Sequence, residues 1–90
     1  MKCVSLKISG KVQGVFYRQS AKSEAIALGI NGWIRNNPDG SVEALVAGNE
    51  KSLEQFIKWA KRGPLMAKVE KVDIKEQISE ANLASFEIIG

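Results

Sequence analysis

The chain has 90 residues, of which 44% are apolar, and its formal net charge at pH 7 is +3. A chain of this length supports one small domain, residues 1–90, and no run approaches the roughly 20 apolar residues that a membrane-spanning helix needs. Because histidine is absent, an imidazole base, a phosphohistidine intermediate and the usual nitrogen ligands of zinc are excluded, and the single Cys3 excludes an internal disulfide.

The charged residues are mixed in sign, because thirteen basic residues are interspersed with ten acidic ones. This pattern is typical of a solvated surface with a mild attraction for anions, and it does not indicate a nucleic-acid partner. Residues 1–9 alternate in polarity and do not form the apolar block of a signal peptide, and a lone cysteine agrees with a reducing compartment. We therefore expect a cytoplasmic monomer with no membrane partner.

The first half of the chain predicts a strand, a helix and a hairpin. Apolar and polar residues alternate from residue 4 to residue 9, which predicts a strand that runs into Gly10. A helical stripe follows from about Arg18, and Gly29 is placed to end that helix. Two further short strands flank Pro38-Asp39-Gly40, a sequence typical of a tight turn.

The second half predicts one more helix and two more strands. Asn49 can cap a helix with apolar residues at i, i+3, i+4 and i+7, and Gly63-Pro64 ends it. In the next strand the apolar parity slips by one residue, which predicts a β-bulge near Glu70-Lys71. A last strand is expected around residues 85–89. The order βαββαβ indicates an α/β (α+β) fold, a ferredoxin-like sandwich with one antiparallel sheet and two helices packed on one face.

The segment Gly10–Arg18 carries the chemistry of an anion site, because it joins the first strand to the first helix through a glycine loop that ends in arginine. Gly14 can adopt backbone conformations forbidden to other residues, so successive amide N–H groups can turn toward one point at the helix N-terminus. Arg18 would add a planar fork of donors that matches two oxygens of a phosphate or carboxylate.

Two segments resemble the signatures of the acylphosphatase family. Residues 10–18 match G-x-V-Q-G-V-x-[FY]-R at every fixed position. Residues 32–48 match a second signature of glycine, an aromatic, a small apolar residue, a variable residue and asparagine, followed by spaced glycines and a valine. Ile34 departs from the alanine, valine or cysteine usual in the family, which we interpret as a packing variation. The resemblance covers essentially the whole chain.

This resemblance implies an enzyme that hydrolyses the carboxyl-phosphate anhydride of acyl phosphates to a carboxylate and inorganic phosphate. It implies the substrate phosphate is held by the loop amides and the Arg18 side chain, and that the Asn36 side chain positions the attacking water. No cofactor and no metal are expected. The expected catalytic residues are Arg18 and Asn36, and the expected phosphate-binding residues are Gln13, Gly14, Val15, Phe16, Tyr17 and Arg18.

Three alternatives remain open at this point. Asn37 is chemically equivalent to Asn36, and only the register of the second signature distinguishes the two. A non-catalytic module of the same fold could bind a phosphorylated metabolite through the same loop, because fold alone does not specify catalysis. RNA-binding domains share the βαββαβ order, but residues 3–9 and 41–47 contain no aromatic residue on which bases could stack.

Overall fold

A computed structural model describes residues 2–77 and 83–90 of the chain. The strands and helices follow the predicted order, including the last strand that was expected around residues 85–89. Their bounds are β1 Lys2–Lys11, α1 Tyr17–Leu28, β2 Asn31–Asn36, β3 Val42–Gly48, α2 Glu50–Arg62, β4 Lys68–Gln77 and β5 Phe86–Ile88. Within these ranges no helix is long and apolar enough to cross a membrane.

The five strands form one sheet in the order β4-β1-β3-β2-β5. The ferredoxin-like α+β arrangement is confirmed, but the expectation of a purely antiparallel sheet is wrong, because β5 pairs with β2 in parallel. The reason is where β4 ends. Gln77 pairs with Cys3, at the end of the sheet where β2 begins. A chain that returns from that end must run in the same direction as β2.

The predicted β-bulge is present in β4. Ser9 pairs with Lys71, whereas Gly10 pairs with Val69, so Glu70 is an additional residue on the β4 side. Gly10 has φ +122°, and a Cβ there would lie 2.2 Å from the carbonyl oxygen of Lys68. The bulge thus brings the two backbones together at the point where β1 leads into the loop before α1.

The core lies between one face of the sheet and the two helices. Alternate strand residues such as Leu6, Ile8 and Ala44 are buried against helical residues such as Phe56. The cap of α2 was predicted correctly, since the Asn49 Oδ1 accepts a hydrogen bond of 2.7 Å from the amide of Ser52. This packing fixes the positions of the start of α1 and the end of β2, which together form the site.

Candidate active site

The loop at residues 12–16 connects β1 to α1 and has an unusual backbone. Gly14 has φ +74° and Phe16 has φ +63°, so both adopt left-handed conformations. Right-handed and left-handed residues in succession turn neighbouring amide N–H groups toward one side, which creates an anion-binding concavity. Phe16 is the one non-glycine residue with positive φ in the described part of the chain. Its conformation costs on the order of 1 kcal/mol or more.

The amides of residues 14–16 in this loop have no partners in the described structure. None of the hydrogen bonds among residues 2–77 and 83–90 is donated by the backbone of Gly14, Val15 or Phe16. No side chain caps the N-terminus of α1, although the first amides of a helix lack partners within the helix. Unsatisfied donors gathered at the positive end of a helix favour an anion.

Two side chains, those of Gln13 in the loop and Tyr17 in α1, hold the loop in place. The Gln13 side chain donates hydrogen bonds of 2.8 Å to the Asn37 carbonyl and 2.9 Å to the Ser41 carbonyl. The Tyr17 hydroxyl donates a hydrogen bond of 2.7 Å to the carbonyl of Ala60 in α2, and burial raises the pKa of Tyr17 above its ordinary value. These side chains therefore position the backbone that would meet the ligand.

A cavity of about 330 Å³ lies between this loop and the end of β2. The structure brings five of the predicted site residues to its wall and leaves Gln13 and Val15 outside the lining, Val15 being buried in the core. Ile88 of β5 also lines the cavity and was not anticipated, because its place depends on the pairing of β5 with β2. The lining residues are Val12, Gly14, Phe16, Tyr17, Arg18, Gln19, Asn36 and Ile88.

Arg18 supplies the positive charge at this cavity. Its side chain is half-buried, and Nη1 lies 3.5 Å from the carbonyl oxygen of Gly90, at the outer limit of a hydrogen bond. Among the described residues Arg18 takes part in no ion pair. Arg35, in contrast, pairs with Glu43 at 2.8 Å and lies over the ring of Trp33. Of these two arginines, Arg18 is therefore the one that lines the cavity and has no carboxylate partner.

The structure separates the two neighbouring asparagines. Asn36 lines the cavity, and its Oδ1 is buried with no hydrogen-bond partner. Asn37 belongs to the turn, since its Nδ2 donates a hydrogen bond of 3.1 Å to the Ser41 hydroxyl. A buried acceptor without a partner is costly, so an Oδ1 left unpaired on a residue that lines a cavity needs an explanation. Asn36 and Arg18 therefore meet at one cavity, and Asn37 is occupied elsewhere.

A larger cavity of about 810 Å³ lies at the opposite end of the sheet, and it does not have these features of an anion site. Its charged groups are already paired, because Lys2 lies 3.1 Å from Glu76 and 3.8 Å from Glu50. No cluster of three or more potential metal ligands occurs among residues 2–77 and 83–90. The smaller cavity is therefore the one in which donors without partners, a cation and an unpaired acceptor converge.

Comparison with known proteins gives a consistent result. The sequence model of the acylphosphatase family matches residues 4–88. An acylphosphatase of Thiobacillus denitrificans is 48% identical over 97% of this chain and 96% of its own length, and one of Acaryochloris marina is 47% identical over 97% and 92%. The crystal structure of acylphosphatase from Bacillus subtilis superimposes over 100% of both chains with a TM-score of 0.96 at 32% identity.

Proposed function

The chain belongs to the acylphosphatase family and hydrolyses acyl phosphates to a carboxylate and phosphate, and from this premise we propose how its residues divide the reaction. The loop amides and Arg18 hold the phosphate, and Asn36 holds the attacking water. The observation that carries this proposal is that Asn36, whose Oδ1 is buried without a hydrogen-bond partner, lines the same cavity as Arg18 and as the loop residues whose amides have no partner.

The leaving group makes few demands on the protein. Acyl phosphate hydrolysis expels a carboxylate whose conjugate acid has a pKa of about 4, so no general acid is needed at neutral pH. What remains is to bind the phosphate, to stabilise charge on its equatorial oxygens and to place water in line behind phosphorus. A site without histidine can meet these needs.

The loop from Gly14 to Arg18 is suited to the phosphate. Amide donors that are already oriented cost no reorganisation when charge develops on the phosphoryl oxygens. The guanidinium of Arg18 adds two parallel donors and a full positive charge. Gln13 and Tyr17 contribute through the side-chain hydrogen bonds that hold the loop, and through their backbone amides, whereas the buried Val15 contributes its amide alone.

The attacking water lies against Asn36 in this mechanism. The Asn36 Oδ1 accepts a hydrogen bond from the water, which directs an oxygen lone pair at phosphorus. The new P–O bond forms as the bond from phosphorus to the acyl oxygen breaks, and that electron pair leaves on the carboxylate. A phosphate oxygen of the substrate takes the proton that the water loses, so no protein base is required.

We extend the proposal to the state of the protein. The chain acts as a single-domain monomer in the cytoplasm and needs no metal. The lone cysteine supports a reducing compartment, and the mixed charges are typical of a solvated surface. Size-exclusion chromatography with light scattering would check the monomer.

The mechanism is tested by hydrolysing benzoyl phosphate in H₂¹⁸O with excess chelator. We expect rapid turnover that the chelator does not slow, with the label in phosphate and none in benzoate. Label in benzoate would show attack at the carbonyl carbon, and loss of turnover that Mg²⁺ restores would show a metal requirement; either result overturns the corresponding part of the proposal.

A further inference from the structure

Phe16 carries two unfavourable features that packing does not explain. Its backbone is left-handed at φ +63°, a region that favours glycine and asparagine. The residue is also 72% exposed, so most of an aromatic ring faces solvent. In the described structure Phe16 belongs neither to the hydrophobic core nor to the residues packed against it, and no aromatic pair includes it.

The position of Phe16 indicates a functional reason for its strained backbone and exposed ring. It lies at the N-cap of α1, one residue before the first helical amide, and it lines the same cavity as Arg18 and Asn36. If the phosphate occupies the amides and Arg18, in-line attack places the departing carboxylate on the side of phosphorus opposite the water. The acyl group must therefore extend away from Asn36 and toward the mouth of the cavity.

The wall of the cavity is suitable for an apolar acyl group. Of its apolar lining residues, Phe16 is exposed, Ile88 is half-buried and Val12 is buried. Exposed aromatic rings contact flat apolar groups favourably, and a pocket with an apolar wall and a few converging polar groups is typical of small-molecule sites. Among the residues that line the cavity, Arg18 is the one charged residue, and it is assigned to the phosphate.

We propose that Phe16 is a specificity-determining residue whose ring forms the acyl-binding wall, with Ile88, and that the enzyme prefers acyl phosphates with an aromatic or bulky apolar acyl group. This inference rests on the proposed placement of phosphate at the loop amides and Arg18. The strained, exposed phenylalanine is retained at the mouth of the site because it contacts substrate.

The test compares two substrates that differ only in a phenyl ring distant from the anhydride, propionyl phosphate and 3-phenylpropionyl phosphate. The quantity measured is the ratio of kcat/KM for the phenyl substrate to kcat/KM for propionyl phosphate. Phe16→Gly and Phe16→Asn remove the ring with residues that tolerate positive φ, and Phe16→Tyr keeps the ring. Leu65→Ala removes an apolar side chain that is 98% exposed and outside the cavity lining.

We expect the ratio to fall about three- to tenfold in Phe16→Gly and Phe16→Asn, and to stay within twofold of the parent in Phe16→Tyr and Leu65→Ala. A change in loop order alone would lower both kcat/KM values by one factor and leave the ratio unchanged, which overturns the proposal. An equal fall in Phe16→Tyr also overturns it. Failure of the proposed mechanism is distinguishable, because that would appear in the parent as label in the carboxylate product.

Discussion

The loop at residues 12–16 and the turn at residues 37–41 lie at the same end of the sheet. They differ in whether their polar groups are hydrogen-bonded. In the turn, the Asp39 Oδ1 accepts hydrogen bonds from the amide and the hydroxyl of Ser41, at 2.9 and 2.6 Å. In the loop, the amides of residues 14–16 donate no hydrogen bond within the described structure. The polar groups of the turn satisfy one another, whereas the loop leaves amide donors that a ligand could satisfy.

The difference shows how the protein keeps unsatisfied donors in one arrangement. A loop without internal hydrogen bonds would collapse or fluctuate, but Gln13 donates two hydrogen bonds to carbonyls of the turn region, those of Asn37 and Ser41. The self-satisfied turn is therefore the support on which the open loop rests. Oriented donors of this kind stabilise a developing charge without reorganisation.

The largest effect is expected from removing the cation of the loop region. Arg18→Gln should lower kcat/KM for benzoyl phosphate by about 10³-fold, because both ground-state binding and transition-state charge stabilisation are lost. The matched control is Arg35→Gln, since Arg35 pairs with Glu43 on the neighbouring strand. We expect the control to keep kcat/KM within about threefold of the parent. Equal losses in the two variants would contradict a special role for Arg18.

The next effect separates the two asparagines at the border of the turn. Asn36→Ala should lower kcat about 10²-fold with a smaller change in KM, because the water loses its acceptor but the phosphate keeps its donors. The free energy of unfolding should not decrease through lost hydrogen bonding, since the Asn36 Oδ1 has no partner in the described structure. Steady-state kinetics and urea denaturation measure both quantities.

Asn37→Ala provides the opposite result. It removes the hydrogen bond to the Ser41 hydroxyl, so the free energy of unfolding should fall by about 1 kcal/mol while kcat stays within about threefold of the parent. A fully active Asn36→Ala enzyme, or an inactive but stable Asn37→Ala enzyme, would show that the water-holding role is assigned to the wrong residue.

A smaller effect is expected from cutting the connection between the two regions. Gln13→Met keeps the side-chain length and removes both donors to the turn, so the free energy of unfolding should fall by about 1–3 kcal/mol. Activity should fall about tenfold, because a less ordered loop positions its amides less well. Gln77→Met is the control, since the Gln77 side chain on the edge strand β4 donates one hydrogen bond of 3.1 Å to the Ser5 hydroxyl on β1. Activity lost equally in both variants would argue against a specific support role for Gln13.

The two regions also differ in how far the sequence predicts them. The strands, the α2 cap at Asn49 and the bulge at Glu70 follow from local signals, which are periodicity, capping and a slip in parity. The Pro-Asp-Gly turn is equally local. The cavity residues Arg18 and Asn36 were identified through the family signatures, and their placement on one cavity agrees with that identification.

Other features depend on contacts between distant residues, and the sequence carries no local signal for them. The direction of β5 depends on where β4 ends, and Ile88 reaches the cavity only because β5 pairs with β2. The Gln13 side chain makes its hydrogen bonds to residues 24 and 28 positions away. The left-handed backbone of Phe16 is also unexpected, because positive φ is strongly disfavoured for a bulky residue.

The smallest effect concerns the acid stability of the turn. Hydrogen bonds from the Ser41 hydroxyl and amide, with help from Lys7, lower the pKa of Asp39 from 3.8 to about 2. A carboxyl group with a depressed pKa in the folded state stabilises the protein fully above its unfolded pKa, and that contribution is lost as the pH falls from about 4 toward 2. The parent should therefore lose stability over this interval, and Asp39→Asn should lose less.

Urea-unfolding midpoints measured from pH 6 to pH 2 give the difference in stability between the parent and Asp39→Asn. This difference should be constant above about pH 5 and shrink below pH 4. A constant difference over the whole range would contradict the assignment. Because Asp39 does not line the cavity, the kcat of Asp39→Asn at neutral pH should equal that of the parent. The titration of Asp39 therefore changes the stability of the turn that supports the loop, and it does not change catalysis.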